Sequence, residues 1–126
     1  MAKPITLKTT YKRLQFILNV LQIFQDHCAE KILEKRRGYP IEEEYYMLHL
    51  SIASELSEKI SKRTNVRIPP VKSSLQLEYH QANTILKGMQ SYMGRMLGND
   101  LQHSTADTLK NQIDQLMKST NTLITA

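Results

Sequence analysis

The chain of 126 residues contains one cysteine, Cys28, no tryptophan and only two phenylalanines. A single thiol cannot close an intramolecular disulfide, which removes the stapled extracellular scaffolds and favours a reducing compartment. With so few large rings, a core has to be assembled from Leu, Ile, Met and Tyr. Glycine and proline are also scarce, four of each, which excludes collagen-like and linker-like chains. No apolar run approaches the roughly 18–20 residues needed to cross a bilayer. The richest stretch, Phe16 to Phe24, is interrupted by Asn19 and Gln22. The opening Met-Ala-Lys-Pro-Ile-Thr lacks the apolar segment of a signal peptide. The expectation is a soluble, cytoplasmic protein.

What is present suits one ordinary domain. Forty per cent hydrophobic residues excludes wholesale disorder, and a chain of this length buries roughly two-thirds of its unfolded surface. The 17 Lys and Arg outnumber the 12 Asp and Glu, giving a net charge of +5. That balance favours an anionic partner such as nucleic acid, a membrane surface or an acidic protein, although it also serves solubility alone.

Apolar spacing and end signals predict four helices. Residues 1–8 look like a short basic arm, and residues 9–126 a single helical-bundle domain. The first helix starts at Thr9 or Thr10, both good N-caps, and stops near Arg37 at Gly38-Tyr39-Pro40. Its stripe of Leu14, Ile17, Leu21, Phe24, Cys28 and Ile32 is widened by Phe16, Val20 and Ile23, which suits a central helix. The second follows Pro40, opens on Glu42, Glu43 and Glu44, closes on Lys59, Lys62 and Arg63, and so complements the helix dipole at both ends. Tyr45, Leu48, Ile52, Leu56 and Ile60 carry its core face. Thr64 to Ser73, with Pro69-Pro70, is a long irregular link. The third helix is expected from Ser73 or Ser74 to about Leu97, ended by Gly98-Asn99-Asp100. The fourth runs from about Thr105, capped by Ser104, to Leu123, with a narrow seam of Ala106, Leu109, Ile113, Leu116 and Leu123. No strand-like alternation of useful length and no internal repeat is evident. The fold class is therefore all-α: a bundle of four main helices with short links and one Pro-Pro loop.

Nothing marks a catalytic centre. The glycines fit neither a dinucleotide fingerprint nor a P-loop, and the histidines His27, His49, His80 and His103 form no Glu-x-x-His or His-Glu-x-x-His. No metal, no cofactor and no enzymatic activity are expected. His49 falls among apolar positions and reads as a satisfied core histidine. Met89, Met93 and Met96 read as core filling, or else as an adaptable docking patch.

The basic residues carry the functional reading. On the third helix, His80, Thr84, Lys87, Ser91 and Arg95 fall on one face that holds no acid, opposite Leu75, Ala82, Leu86, Met89 and Met96. Such a stripe can follow a phosphate backbone. Further candidate contacts are Arg67 and Lys72 in the Pro-Pro loop, Lys62 and Arg63 at the end of the second helix, and Arg36 and Arg37 at the end of the first. Helix-end charge complementarity is the competing explanation for the last two pairs. Of the tyrosines, Tyr45, Tyr79 and Tyr92 read as core, and Tyr39, in its turn, as the exposed candidate for stacking on a base.

In size, helical character, basic charge and lack of catalytic motifs, the whole chain resembles the small helical subunits of CRISPR effector complexes. The resemblance implies a non-catalytic subunit of a ribonucleoprotein in antiviral defence, lining a backbone beside copies of itself or other subunits. Lys87, Arg95, Arg67 and Lys72 would then touch phosphate. The expected function is nucleic-acid binding, RNA or DNA, without sequence readout. The alternative is a helical protein-interaction module that works through the fourth-helix seam or the methionines.

Overall fold

The computed structural model describes residues 5–65, 71–95 and 100–125, with side chains to Gly94 in the second stretch and from Ser104 to Lys118 in the third. Four helices and a two-stranded sheet follow in the order β1 (Ile5–Thr10), α1 (Tyr11–Arg36), α2 (Glu43–Thr64), β2 (Lys72–Leu77), α3 (Tyr79–Arg95) and α4 (Asp100–Thr125). The four-helix expectation holds. The strands correct the reading that none exists.

Where a basic arm was expected, Ile5, Leu7 and Thr9 of β1 turn inward and Thr6 and Lys8 outward, a strict period of two. Ser73 and Ser74, expected to start a helix, belong to β2, where Leu75 and Leu77 are fully covered. The strands are antiparallel, pairing Ile5 with Leu77, Leu7 with Leu75 and Thr9 with Ser73 on the inward face. Six residues per strand are too few for alternation to outweigh the helical pattern that follows each of them.

The helix ends follow local chemistry. The Thr10 hydroxyl accepts the Arg13 N–H at 3.2 Å, the expected cap of α1. Gly38, at φ +97°, takes the left-handed turn that ends α1, and its N–H donates to the Lys35 carbonyl. Helix α3 opens after Glu78, whose N–H donates to Gln81 Oε1 at 2.9 Å, half of a capping box. Helix α4 begins earlier than the Ser104 signal suggested. Ser104 lies inside it, and its carbonyl accepts the Thr108 hydroxyl.

Helix α1 packs on α2, α3 and β1, the central position its wide apolar arc required. The core of α2 is His49, Ile52, Ala53, Leu56 and Ile60. Leu48 is instead 59% exposed and Tyr45 is also exposed, because the helices facing α2 cover a narrower arc than its apolar residues occupy. In α3, Thr84 is fully buried, so the acid-free stripe read from sequence is not a continuous surface. The α4 seam of Ala106, Leu109 and Ile113 is spent on the core.

The element order is β-α-α twice, a repeat the letters hide. With one offset throughout, Leu7 matches Leu75, Leu14 Ala82, Ile17 Ile85, Leu21 Met89 and Phe24 Tyr92, and every one of these residues is buried. With a second offset, Ala53, Leu56 and Ile60 of α2 match Ala106, Leu109 and Ile113 of α4, again all buried. Under the first offset five of the six ladder pairs map onto one another about Leu7–Leu75, and Thr10–Lys72 alone has no mate. Beneath it, a Cβ on Gly88 would lie 3.5 Å from Val20, its own counterpart. The ribbon and the α1–α3 crossing are thus related by an approximate local two-fold, which the packing of α2 and α4 does not follow: α2 packs on α3 and α4 on β1, without α1–α4 or α2–β2 contacts of similar extent among the described residues.

Two outcomes follow. Gly88→Ala is accepted and stabilises by up to about 1 kcal/mol, whereas Gly88→Leu overfills the crossing and costs about 1–3 kcal/mol; denaturant midpoints measure both. His49 is buried, with Nδ1 2.9 Å from the Thr84 hydroxyl. Burial, and secondarily the charge of Lys87, hold its pKa below the usual 6.5. The unfolded chain therefore takes up this proton first. Stability is full above pH 6.5 and is lost as pH falls from there through the lower folded value. His49→Asn flattens that dependence in melts recorded across the window.

Candidate nucleic-acid interface

The ribbon's outward face is made by the cross-strand pairs Thr6–Gln76, Lys8–Ser74 and Thr10–Lys72. All six side chains are polar, two are cationic and none is acidic. Their exposure follows directly from the inward set: with Ile5, Leu7, Leu75 and Leu77 in the core, a period of two leaves the alternate positions to water. At the Thr10–Lys72 end, a shallow depression is lined by Lys8, Thr9, Thr10, Arg13, Lys72, Ser73 and Ser74, three cations without a carboxylate. The Thr9 hydroxyl is buried there with no hydrogen-bond partner among the described residues.

The ribbon's edges are occupied. Lys59 Nζ donates to the Gln76 carbonyl at 2.6 Å, and Arg63 donates to the Ser74 carbonyl. On the other side Gln112 Nε2 donates to the Lys8 carbonyl at 3.0 Å. Lys59 and Gln112 are counterparts in the repeat, and so are Gln76 and Lys8. Three outward carbonyls are thereby satisfied, two on the β2 edge and one on the β1 edge. Tyr11 fastens the same end: its N–H donates to the Val71 carbonyl at 3.2 Å and its hydroxyl to the Thr64 carbonyl at 2.7 Å. The start of α1, the end of α2 and the approach to β2 are thereby held together.

The residues expected from sequence are divided by this geometry. Arg63 reaches the ribbon at Ser74, two residues from Lys72, while Lys62, its neighbour on α2, pairs with Glu58 at 3.4 Å. Arg36 and Arg37 lie at the far end of α1, a helix of 26 residues that extends roughly 39 Å at 1.5 Å per residue. Lys87 is half-buried in α3, near enough to His49 to influence its proton. Arg67 and the side chain of Arg95 fall outside the described residues, as does Met96. The residues that sequence reading missed are Lys8, Arg13, Thr6, Ser74 and Gln76. Their signal was the alternation Ile5-Thr6-Leu7-Lys8-Thr9 and Leu75-Gln76-Leu77.

Elsewhere the chemistry is quiet. Tyr92 is buried as expected, Tyr39 is exposed as expected, and Tyr45 and Tyr79 are more exposed than expected. Among the described residues, no three His, Cys, Asp or Glu side chains are placed to hold a metal ion, and no helix is long and apolar enough to cross a membrane. An apolar groove between α1 and α2 is lined by Ala29, Ile32, Leu33, Met47 and Leu50. Cys28 is fully buried, and desolvation pushes its thiol up to about 11. It therefore reacts with a thiol reagent only as the protein opens; native labelling as fast as labelling in denaturant would contradict this placement.

Comparison with protein-family models, curated proteins and solved structures finds no match to this chain.

Proposed function

We propose that the chain is a non-catalytic nucleic-acid-binding subunit, working in the cytoplasm and contacting phosphate through the ribbon end of the molecule. The observation that carries this reading is the ribbon's outer face: six polar side chains, no acid, Lys8 and Lys72 lining one depression with Arg13, and Arg63 bonded to the neighbouring Ser74 carbonyl. A polyanion gains contacts here without meeting a carboxylate on the strands. Helix-end complementarity does not account for Lys8 or Lys72, which lie on strands. The role in a ribonucleoprotein assembly, implied by the resemblance to CRISPR effector small subunits, belongs to the same proposal and rests on size, helical character and charge.

A second reading, a helical protein-interaction module, is favoured by one feature. Leu33, Met47 and Leu48 are exposed together with Tyr45 at the end of the α1–α2 hairpin away from the ribbon. This replaces the α4 seam, which the core consumes.

The first reading expects Lys8→Glu with Lys72→Glu to weaken nucleic-acid binding at least ten-fold and to lower the log–log salt slope by about 1.8, two phosphate contacts at about 0.9 each. The circular-dichroism spectrum stays unchanged. Lys87→Glu binds like the unaltered chain. If Arg36→Glu with Arg37→Glu abolishes binding and the strand pair does not, the ribbon end is not the interface. The second reading expects self-association that persists in high salt and is lost in Leu48→Asp, measured by sedimentation.

A further inference from the structure

We infer that the nucleic acid is duplex DNA, met in its major groove by the outer face of the β1–β2 ribbon and in one preferred orientation. The inference rests on the nucleic-acid reading above and names its ligand.

Shape is the first argument. Two paired strands lie about 4.8 Å apart, and a two-stranded ribbon fits the roughly 12 Å width of the B-form major groove. The A-form major groove of duplex RNA is too deep and narrow for side chains to read. Chemistry is the second. Thr6 and Ser74 offer hydroxyls that donate and accept, Gln76 an amide suited to adenine, and Lys8 and Lys72 cations suited to guanine. None of the six is aromatic, so the face lacks the stacking platform on which single strands are held. Lys59, Arg63 and Gln112 occupy carbonyls on both edges, which favours a partner that meets the ribbon's face over one that adds a strand.

Symmetry is the third argument. The two-fold axis through the Leu7–Leu75 pair stands on this face. A duplex presents two backbones related by two-fold axes of its own, and protein and DNA dyads coincide when paired units bind paired backbones. A single strand has no such axis to match. The charges then break the symmetry. Lys8 has Gln76 as its counterpart and Thr10 has Glu78. Lys59, Lys62 and Arg63 beside β2 have Gln112, Gln115 and Leu116 beside β1. One of the two dyad-related orientations thus gains more phosphate contacts, and the recognised site has unlike halves.

The test is fluorescence anisotropy of the full chain with duplex DNA, duplex RNA and the single DNA strand of matched sequence, the duplex being taken by selection from a randomised pool. Duplex DNA is expected to bind at least ten-fold tighter than the other two. Replacing its purines by 7-deaza analogues, which removes the N7 acceptors of the major groove, weakens binding. Thr6→Ala with Gln76→Ala lowers the preference for the selected sequence and leaves the salt slope unchanged. The selected sequence is not a palindrome. If all three nucleic acids bind alike, or duplex RNA or the single strand binds better, the duplex-DNA inference is overturned, while loss of that binding in Lys8→Glu with Lys72→Glu leaves the nucleic-acid reading standing. Insensitivity to 7-deaza purines overturns the major-groove placement. Absence of binding to any of the three overturns both readings.

Discussion

Pairing of β1 with β2 is the constraint on which the rest of the molecule depends. It joins two segments separated by both helices of the first unit, and it does so by placing Leu7 against Leu75 in the covered layer. Each strand runs almost directly into a helix, Thr10 into Tyr11 and Leu77 through Glu78 into Tyr79. The direction of the strands therefore sets the direction of α1 and α3, and these meet where Val20 packs over Gly88. Only a small residue on α3, glycine or alanine, lets the helices approach this closely at that point while Val20 and Phe24 keep their size. The hairpin partners α2 and α4 then close the two sides, and both return to the ribbon to satisfy its edge carbonyls.

The same layer logic governs what is left over. A strand that buries every second residue must expose the rest, so the chemistry of the outer face is chosen independently of the core. Here that face carries hydroxyls, an amide and ammonium groups. The cations nearest to it divide into two kinds. Lys59 and Arg63 are structurally engaged, holding β2 by its carbonyls. Among the described residues, neither Lys8 nor Lys72 holds a strand in this way.

Helix number, the Thr10 cap, the Gly38 stop, the central place of α1 and the buried state of His49 were legible in the sequence because each rests on a local signal several residues long. The strands were not. Six residues of alternation beside a long helical pattern carry little weight, and pairing between residues 5–10 and 72–77 leaves no local trace. The repeat was hidden for a related reason: Leu14 is answered by Ala82 and Val20 by Gly88, so what is shared is burial and not residue type. The functional reading suffered accordingly. Lys72, Lys62 and Arg63 were found as charges, but Lys8 was assigned to an arm, and Thr6, Ser74 and Gln76 had no claim to attention until both strands stood side by side. The helix-three stripe failed because Thr84, polar by type, is drawn into the core by its hydrogen bond to His49.

The span of chain between the paired strands also governs how the molecule comes into being. During synthesis β1 emerges first, yet the residues that complete it lie beyond α1, α2 and the Pro-Pro link. Until β2 has left the ribosome, Ile5 and Leu7 have no cross-strand partner, while the α1–α2 hairpin, built from contacts near in sequence, can already form. The first unit therefore waits half-built, its strand edge and inward leucine open to any neighbouring chain. Closure of the first unit is therefore a late event, which waits for the residue that answers Leu7.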